Sequence, residues 1–98
     1  MKSILIAITL LVSGLAYGQT ADAYYNRGLT KSKLEDDRGA IADYSIAIEL
    51  NPNEANFYFN RGIVRMLFDE KDEYCMDFSK AGELGLVYAY DMIKAFFN

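Results

Sequence analysis

The strongest constraint on this sequence is internal. Shifted by 34 residues against itself, the chain aligns Ala21 with Ala55, Tyr24 with Tyr58, Asn26-Arg27-Gly28 with Asn60-Arg61-Gly62, Asp43 with Asp77, Ser45 with Ser79, Ala47 with Ala81 and Glu49-Leu50 with Glu83-Leu84. Tyr25 meets Phe59, Leu29 meets Ile63, Lys31 meets Arg65 and Tyr44 meets Phe78. Self-similarity at a fixed period of this size marks one supersecondary unit used twice. Such a unit cannot bury its apolar face alone and closes its core by stacking on a neighbour. The chain is therefore expected to be a short stacked array.

Each unit reads as two helices. Ala21 to Lys33 holds no proline, and its apolar side chains recur near helical spacing. In Ala40 to Leu50, Ile41, Tyr44, Ala47 and Ile48 form an amphipathic stripe. Between the helices lie Glu35-Asp36-Asp37-Arg38-Gly39 and Asp69-Glu70-Lys71-Asp72-Glu73. Their acids suit a solvated turn and the positive end of the helix that follows. A calcium loop needs regular ligand spacing and a turn glycine, so a cation site is not indicated. The link Asn51-Pro52-Asn53-Glu54 predicts a helix start: Asn51 as cap, Pro52 in the first turn and Glu54 closing a capping box. Near the end, Gly85 reads as a left-handed helix stop. Val87 to Phe97 then reads as one more helix, with Ala89, Ile93 and Phe97 on one line.

Residues 1–18, MKSILIAITLLVSGLAYG, have a different character. Lys2 gives a positive start, Ile4 to Val12 is apolar but for Thr9, and Ala16-Tyr17-Gly18 places small residues where a signal peptidase looks. The stretch is too short for a core needing about 20 apolar residues. It predicts a secretory signal cleaved after Gly18, a mature domain over 19–98 that does not insert in the membrane, and a periplasmic or extracellular location.

Composition narrows the chemistry. The whole chain carries −4, and loss of Lys2 with the leader makes the remainder one unit more acidic. Nucleic acid and anionic lipid both call for a basic patch and are disfavoured as partners. With no histidine and one cysteine, histidine-dependent triads, histidine-ligated metal sites, internal disulfides and zinc knuckles are excluded. Cys75 has no histidine base to activate it and reads as a small packing residue. No metal, cofactor or catalytic residue is assigned, and no enzymatic activity is expected.

The residues that repeat at 34 resemble the tetratricopeptide repeat, whose pattern is W-x2-L-G-x2-Y, then A-x3-F, an alanine three later and a closing proline. The first unit, 21–54, places Tyr24, Arg27, Gly28, Lys31, Ala40, Tyr44, Ala47 and Pro52 at those positions. The second, 55–88, places Tyr58, Arg61, Gly62, Arg65, Phe78 and Ala81. Gly28 and Gly62 leave room for a partner helix, and the rings fill the space beside them. Two departures stand out. Tyr74 occupies the place of a small alanine and is expected to splay the second helix pair or shift its crossing angle. The second closing proline is replaced by Gly82-Glu83-Leu84-Gly85-Leu86.

The resemblance implies an all-α fold: a right-handed helical-hairpin repeat, with two repeats and a C-terminal capping helix over 87–97. It also implies a concave groove lined by the first helix of each pair, binding a peptide or helix of a partner protein. The groove residues so implied are Tyr25, Asn26, Leu29 and Lys33 in the first unit and Asn56, Phe59, Asn60, Ile63 and Leu67 in the second, extended by Tyr90 and Lys94 of the cap. Asparagine amides suit a peptide backbone, unless Asn26 and Asn60 serve only neighbouring backbone groups. The lysine- and asparagine-based clamp that grips acidic chaperone tails in one subclass is not matched, because Tyr25 and Leu29 stand where it has Lys and Asn. Two repeats are fewer than the three usually needed for stability. Self-assembly as a structural subunit of an envelope complex is therefore the alternative to partner binding.

Overall fold

The structure is a computed structural model that describes residues 21–97. The expected leader, 1–18, lies outside the described residues. Among the described residues five helices follow one another: α1 over 21–33, α2 over Asp37–Leu50, α3 over Ala55–Met66, α4 over Lys71–Glu83 and α5 over Tyr88–Phe97. The described residues contain no strand. This is the all-α helical repeat that the period predicts. α3 packs against both α2 and α4, and α5 packs against α4.

The close approach within each pair depends on glycine. A Cβ on Gly28 would sit 2.7 Å from Tyr44 Cε1, and one on Gly62 would sit 2.9 Å from Phe78 Cε1. Both rings are fully buried against these gaps. Tyr74, the bulky residue of the second pair, is taken into its interior. Its ring is itself buried, 6.1 Å from Phe78, in a cluster with Tyr58, Ala81 and Ala89. α5 supplies Ala89 as the small residue that accommodates this bulk.

The helix ends follow a shared scheme that the sequence hides. After α1, the Asp36 N–H bonds the Lys31 carbonyl (2.8 Å) and the Glu35 N–H bonds that of Ser32 (3.0 Å). After α3, Glu70 bonds Arg65 (3.4 Å) and Asp69 bonds Met66 (3.2 Å); after α4, Leu86 bonds Ala81 and Gly85 bonds Gly82, both at 3.0 Å. Each is the crossed pair of bonds that closes a helix through a left-handed residue. Gly85 supplies it at φ +113, whereas Glu35 (φ 65) and Asp69 (φ 56) supply it against their side-chain preference. Asp36 then caps α2, its carboxylate accepting the Gly39 N–H at 3.1 Å.

The link between units departs from expectation. Asn51 is the C-cap of α2, its N–H bonding the Ala47 carbonyl, and Glu54 precedes α3 without a side-chain cap bond. The Asn51 Oδ1 faces the Asn53 N–H (3.4 Å), two residues on, so it forms a local turn instead of reaching a capping box. The Tyr58 hydroxyl donates to the Pro52 carbonyl at 2.9 Å and ties that turn to α3.

Candidate protein-binding face

α1, α3 and the start of α5 share a face on which the expected groove residues fall unevenly. The Asn60 Nδ2 donates to the Tyr25 hydroxyl at 2.8 Å, across the boundary between units, and to the Asn56 carbonyl at 2.9 Å. Asn60 therefore serves a neighbouring carbonyl and also joins the two repeats. Tyr25 is half-buried: its ring lies 4.8 Å from that of Phe57 and 5.7 Å from that of Tyr44. Burial pushes the Tyr25 hydroxyl above its ordinary pKa, and the negative charges of Glu54 and of ionised Tyr88 add to this. Phe59 is also half-buried, 5.6 Å from Phe78 and 5.2 Å edge-on from Tyr88. Leu29 packs on the Ala40–Tyr44–Val64 cluster. These three apolar side chains are thus partly committed to the fold.

The freely presented apolar groups are Ile63 on α3, 36% exposed, and Leu67, four residues on at the C-cap of that helix, 67% exposed. Asn26, Lys33 and Asn56 are exposed, and the Asn26 carbonyl accepts from Thr30 Oγ1 (3.2 Å). From the last helix the contributor is Tyr88, which sequence reasoning missed. Tyr90 instead lies over Gly82 of α4, where an added Cβ would sit 2.5 Å from its ring. Gly82 is thus a seat for a ring, a role its place in a glycine-containing stop concealed.

Away from this face stands a second repeated feature. Asp43 and Asp77 are almost fully buried, and each carboxylate takes two bonds from the arginine 16 residues before it. Arg27 reaches Asp43 through Nε and Nη2, both at 2.8 Å; Arg61 reaches Asp77 at 3.0 and 2.7 Å. A second cation completes each set, Lys31 at 3.1 Å from Asp43 and Arg65 at 2.9 Å from Asp77. These are Arg27 and Lys31, Arg61 and Arg65, which occupy the places of the Leu and Tyr in the repeat pattern. Here charge pairing replaces an apolar contact between the two helices of a unit. The bond from Arg27, followed by Lys31, holds the Asp43 carboxyl below its ordinary pKa against the opposing effect of burial. The signal was present in the sequence as the identical 16-residue spacing of Arg27–Asp43 and Arg61–Asp77.

Cys75 lines an open depression of about 480 Å³ with Tyr58, Arg61 and Met76. Burial pushes its thiol above the ordinary value, the direction opposite to that of an activated nucleophile.

A sequence profile of the tetratricopeptide repeat matches residues 21–54. The chain is also 35% identical over 75 residues to tetratricopeptide repeat protein 36 of Danio rerio. That alignment takes in 72% of this chain and 40% of the relative.

The chain carries a tetratricopeptide repeat over residues 21–54. Repeats of this family generally mediate protein–protein interaction and are not catalytic. The first tetratricopeptide unit is α1 with α2, and α3 with α4 repeats its Gly–ring and Arg–Asp contacts 34 residues later. Ala89 continues the same register from Ala21 and Ala55. α5 thus begins as the first helix of a further tetratricopeptide unit would, and it caps α4 from that position.

Proposed function

We propose that this chain is an exported interaction module that holds a segment of a partner protein on the face built by α1, α3 and Tyr88. The observation that carries the reading is the uncharged strip along α3. Ile63 and Leu67 stand clear of the core, beside the Tyr25–Asn60 bond and the Phe59–Tyr88 ring contact. Apolar groups flanked by hydrogen-bonding amides are suited to desolvating and orienting a peptide. Export is supported by the charged start, apolar run and small-residue site of residues 1–18. The mature chain would then meet its partner in the periplasm or outside the cell.

A photo-cross-linking residue at Ile63 or Leu67, compared with one at Lys80 on α4, tests the reading in the native envelope. The inner positions should give a discrete partner adduct that Lys80 does not give. The Ile63→Asp, Leu67→Asp pair should weaken that partner by at least ~10-fold. Identical adducts from all three positions would remove the face from consideration. An adduct with a second copy of the chain would assign the face to self-assembly.

A further inference from the structure

α1 and α3 carry matching edges, and only that of α3 is covered. On each edge an arginine lies over the tyrosine three residues before it, Arg27 at 4.9 Å from the Tyr24 ring and Arg61 at 5.8 Å from that of Tyr58. On each, Nε and Nη2 hold the aspartate of the same unit. The third nitrogen differs. Arg61 Nη1 donates to Ser45 Oγ of α2 at 3.1 Å. Ser45 gives its own hydrogen to the Ile41 carbonyl, so its lone pairs are left for Arg61. Arg27 Nη1 has no partner among the described residues, and the Arg27 side chain stands in the open. Beside it a depression of about 130 Å³ is lined by Ala23, Tyr24 and Arg27. Ala23 is the counterpart of Phe57, whose ring is buried with Ala47 and Ile48 of α2. The α1 edge thus keeps the cation of the α3 edge and lacks its ring.

We propose that the α1 edge docks a helix of another protein, one that sets a Ser or Thr hydroxyl on Arg27 Nη1 and, three residues later, an aromatic side chain in the depression at Ala23. The covered edge supplies the pattern. There Ser45 meets Arg61, and Ile48, three residues on, packs on the clusters of Phe57 and Tyr58. On α1 the bulk that Ala23 lacks has to come from the incoming helix, so the residue in the place of Ile48 is larger. A second copy of the chain offers no such helix. Its α2 is already engaged on α3, and its α4 follows Ser79 with Gly82, which lies under the Tyr90 ring. This surface is separate from the α3 strip of Ile63 and Leu67 and does not rest on the reading of that strip.

The probe is a fluorescent peptide of α2, residues 37–50, stapled across its exposed positions 38 and 42 and titrated into the full chain and into residues 19–98. Ile48→Phe in the peptide should tighten binding roughly fivefold, and Ala23→Phe in the protein, which fills the depression, should cancel that gain. Arg27→Lys keeps a cation on Asp43 but removes the third N–H, and should weaken binding roughly tenfold. Ser45→Ala in the peptide should cost as much with the wild type and almost nothing with Arg27→Lys. The Ile63→Asp, Leu67→Asp pair should change none of these values, so that failure of the edge and failure of the groove are told apart. No saturable binding, or binding indifferent to Arg27→Lys, would overturn the proposal. Sensitivity to Arg61→Lys instead would mean that the peptide has replaced α2 on α3, and would overturn it equally. Binding to residues 19–98 but not to the full chain would give the edge to residues 1–18 rather than to a partner. Self-association abolished by Ala23→Phe would give it to a second copy. Thermal melts of Arg27→Lys and Ala23→Phe, expected to stay cooperative, separate lost docking from lost fold.

Discussion

The two repeats make the same ionic contact under different conditions. Arg27 and Arg61 each grip a buried aspartate with two bonds of nearly equal length, yet the Arg27 side chain is 56% exposed and that of Arg61 is 16% exposed. The difference comes from the neighbour. Arg61 is covered by the preceding unit and gives a further bond to Ser45 of α2 at 3.1 Å, whereas Arg27 lies over Tyr24 of its own helix. One motif is therefore a solvent-screened clamp in the first unit and a junction of three helices in the second. Repetition of a residue does not repeat its energetic weight. That weight is set by how much water the adjoining repeat removes.

The largest expected effect follows from removing the acid. Asp77→Ala strands Arg61 and Arg65 with no carboxylate between them, and should cost ~3–5 kcal/mol in urea unfolding. Asp43→Ala should cost clearly less, because Arg27 and Lys31 can turn to water. Equal losses would mean that the neighbouring repeat adds nothing.

A second, smaller effect is pH-dependent. The Asp43 carboxyl has a lower pKa folded than unfolded. Its contribution should be complete above the unfolded value of about 3.9 and fall away as pH drops through the folded value. The stability difference between wild type and Asp43→Asn, measured by urea titration from pH 6 downward, should therefore shrink below about pH 4. A constant difference would show that Arg27 does no more for the charged acid than for its neutral isostere.

The smallest effect concerns the left-handed stops. Glu35→Gly should stabilise the chain by ~1 kcal/mol by relieving a longer side chain of that conformation. Asp69→Gly should gain less, since aspartate tolerates the left-handed region better. A loss at Glu35 would point to an interaction of its side chain that outweighs backbone relief.

What was legible in the sequence was whatever a single helix or the period itself encodes. The helices, the Gly28–Tyr44 and Gly62–Phe78 contacts and the Gly85 stop all follow from spacing and residue size. Glu35 and Asp69 escaped because their left-handed conformation is imposed by the helix that ends there, not by their own preference. Asn51 defeats the capping pattern because its backbone still closes α2 and its side chain accepts from the Asn53 N–H only two residues on. The candidate face was legible only in outline. Position along α1 and α3 named its residues, but only packing shows that Tyr25 and Phe59 are half-committed to the core. Tyr88 and Tyr90 both lie on α5, and nothing in their spacing told which of them meets Phe59 and which meets Gly82.

The apolar clusters do not respect the 34-residue boundary. Phe57 of the second unit completes the cluster of Ala21 and Ala47, and Val64 completes that of Ala40 and Tyr44. A break at the Asn51–Glu54 link would thus leave the first half without two walls of its interior. Inheritance and folding are divided differently in this chain: the segment that was duplicated is 34 residues long, but the segment that can stand by itself is longer, and the halves are expected to melt together.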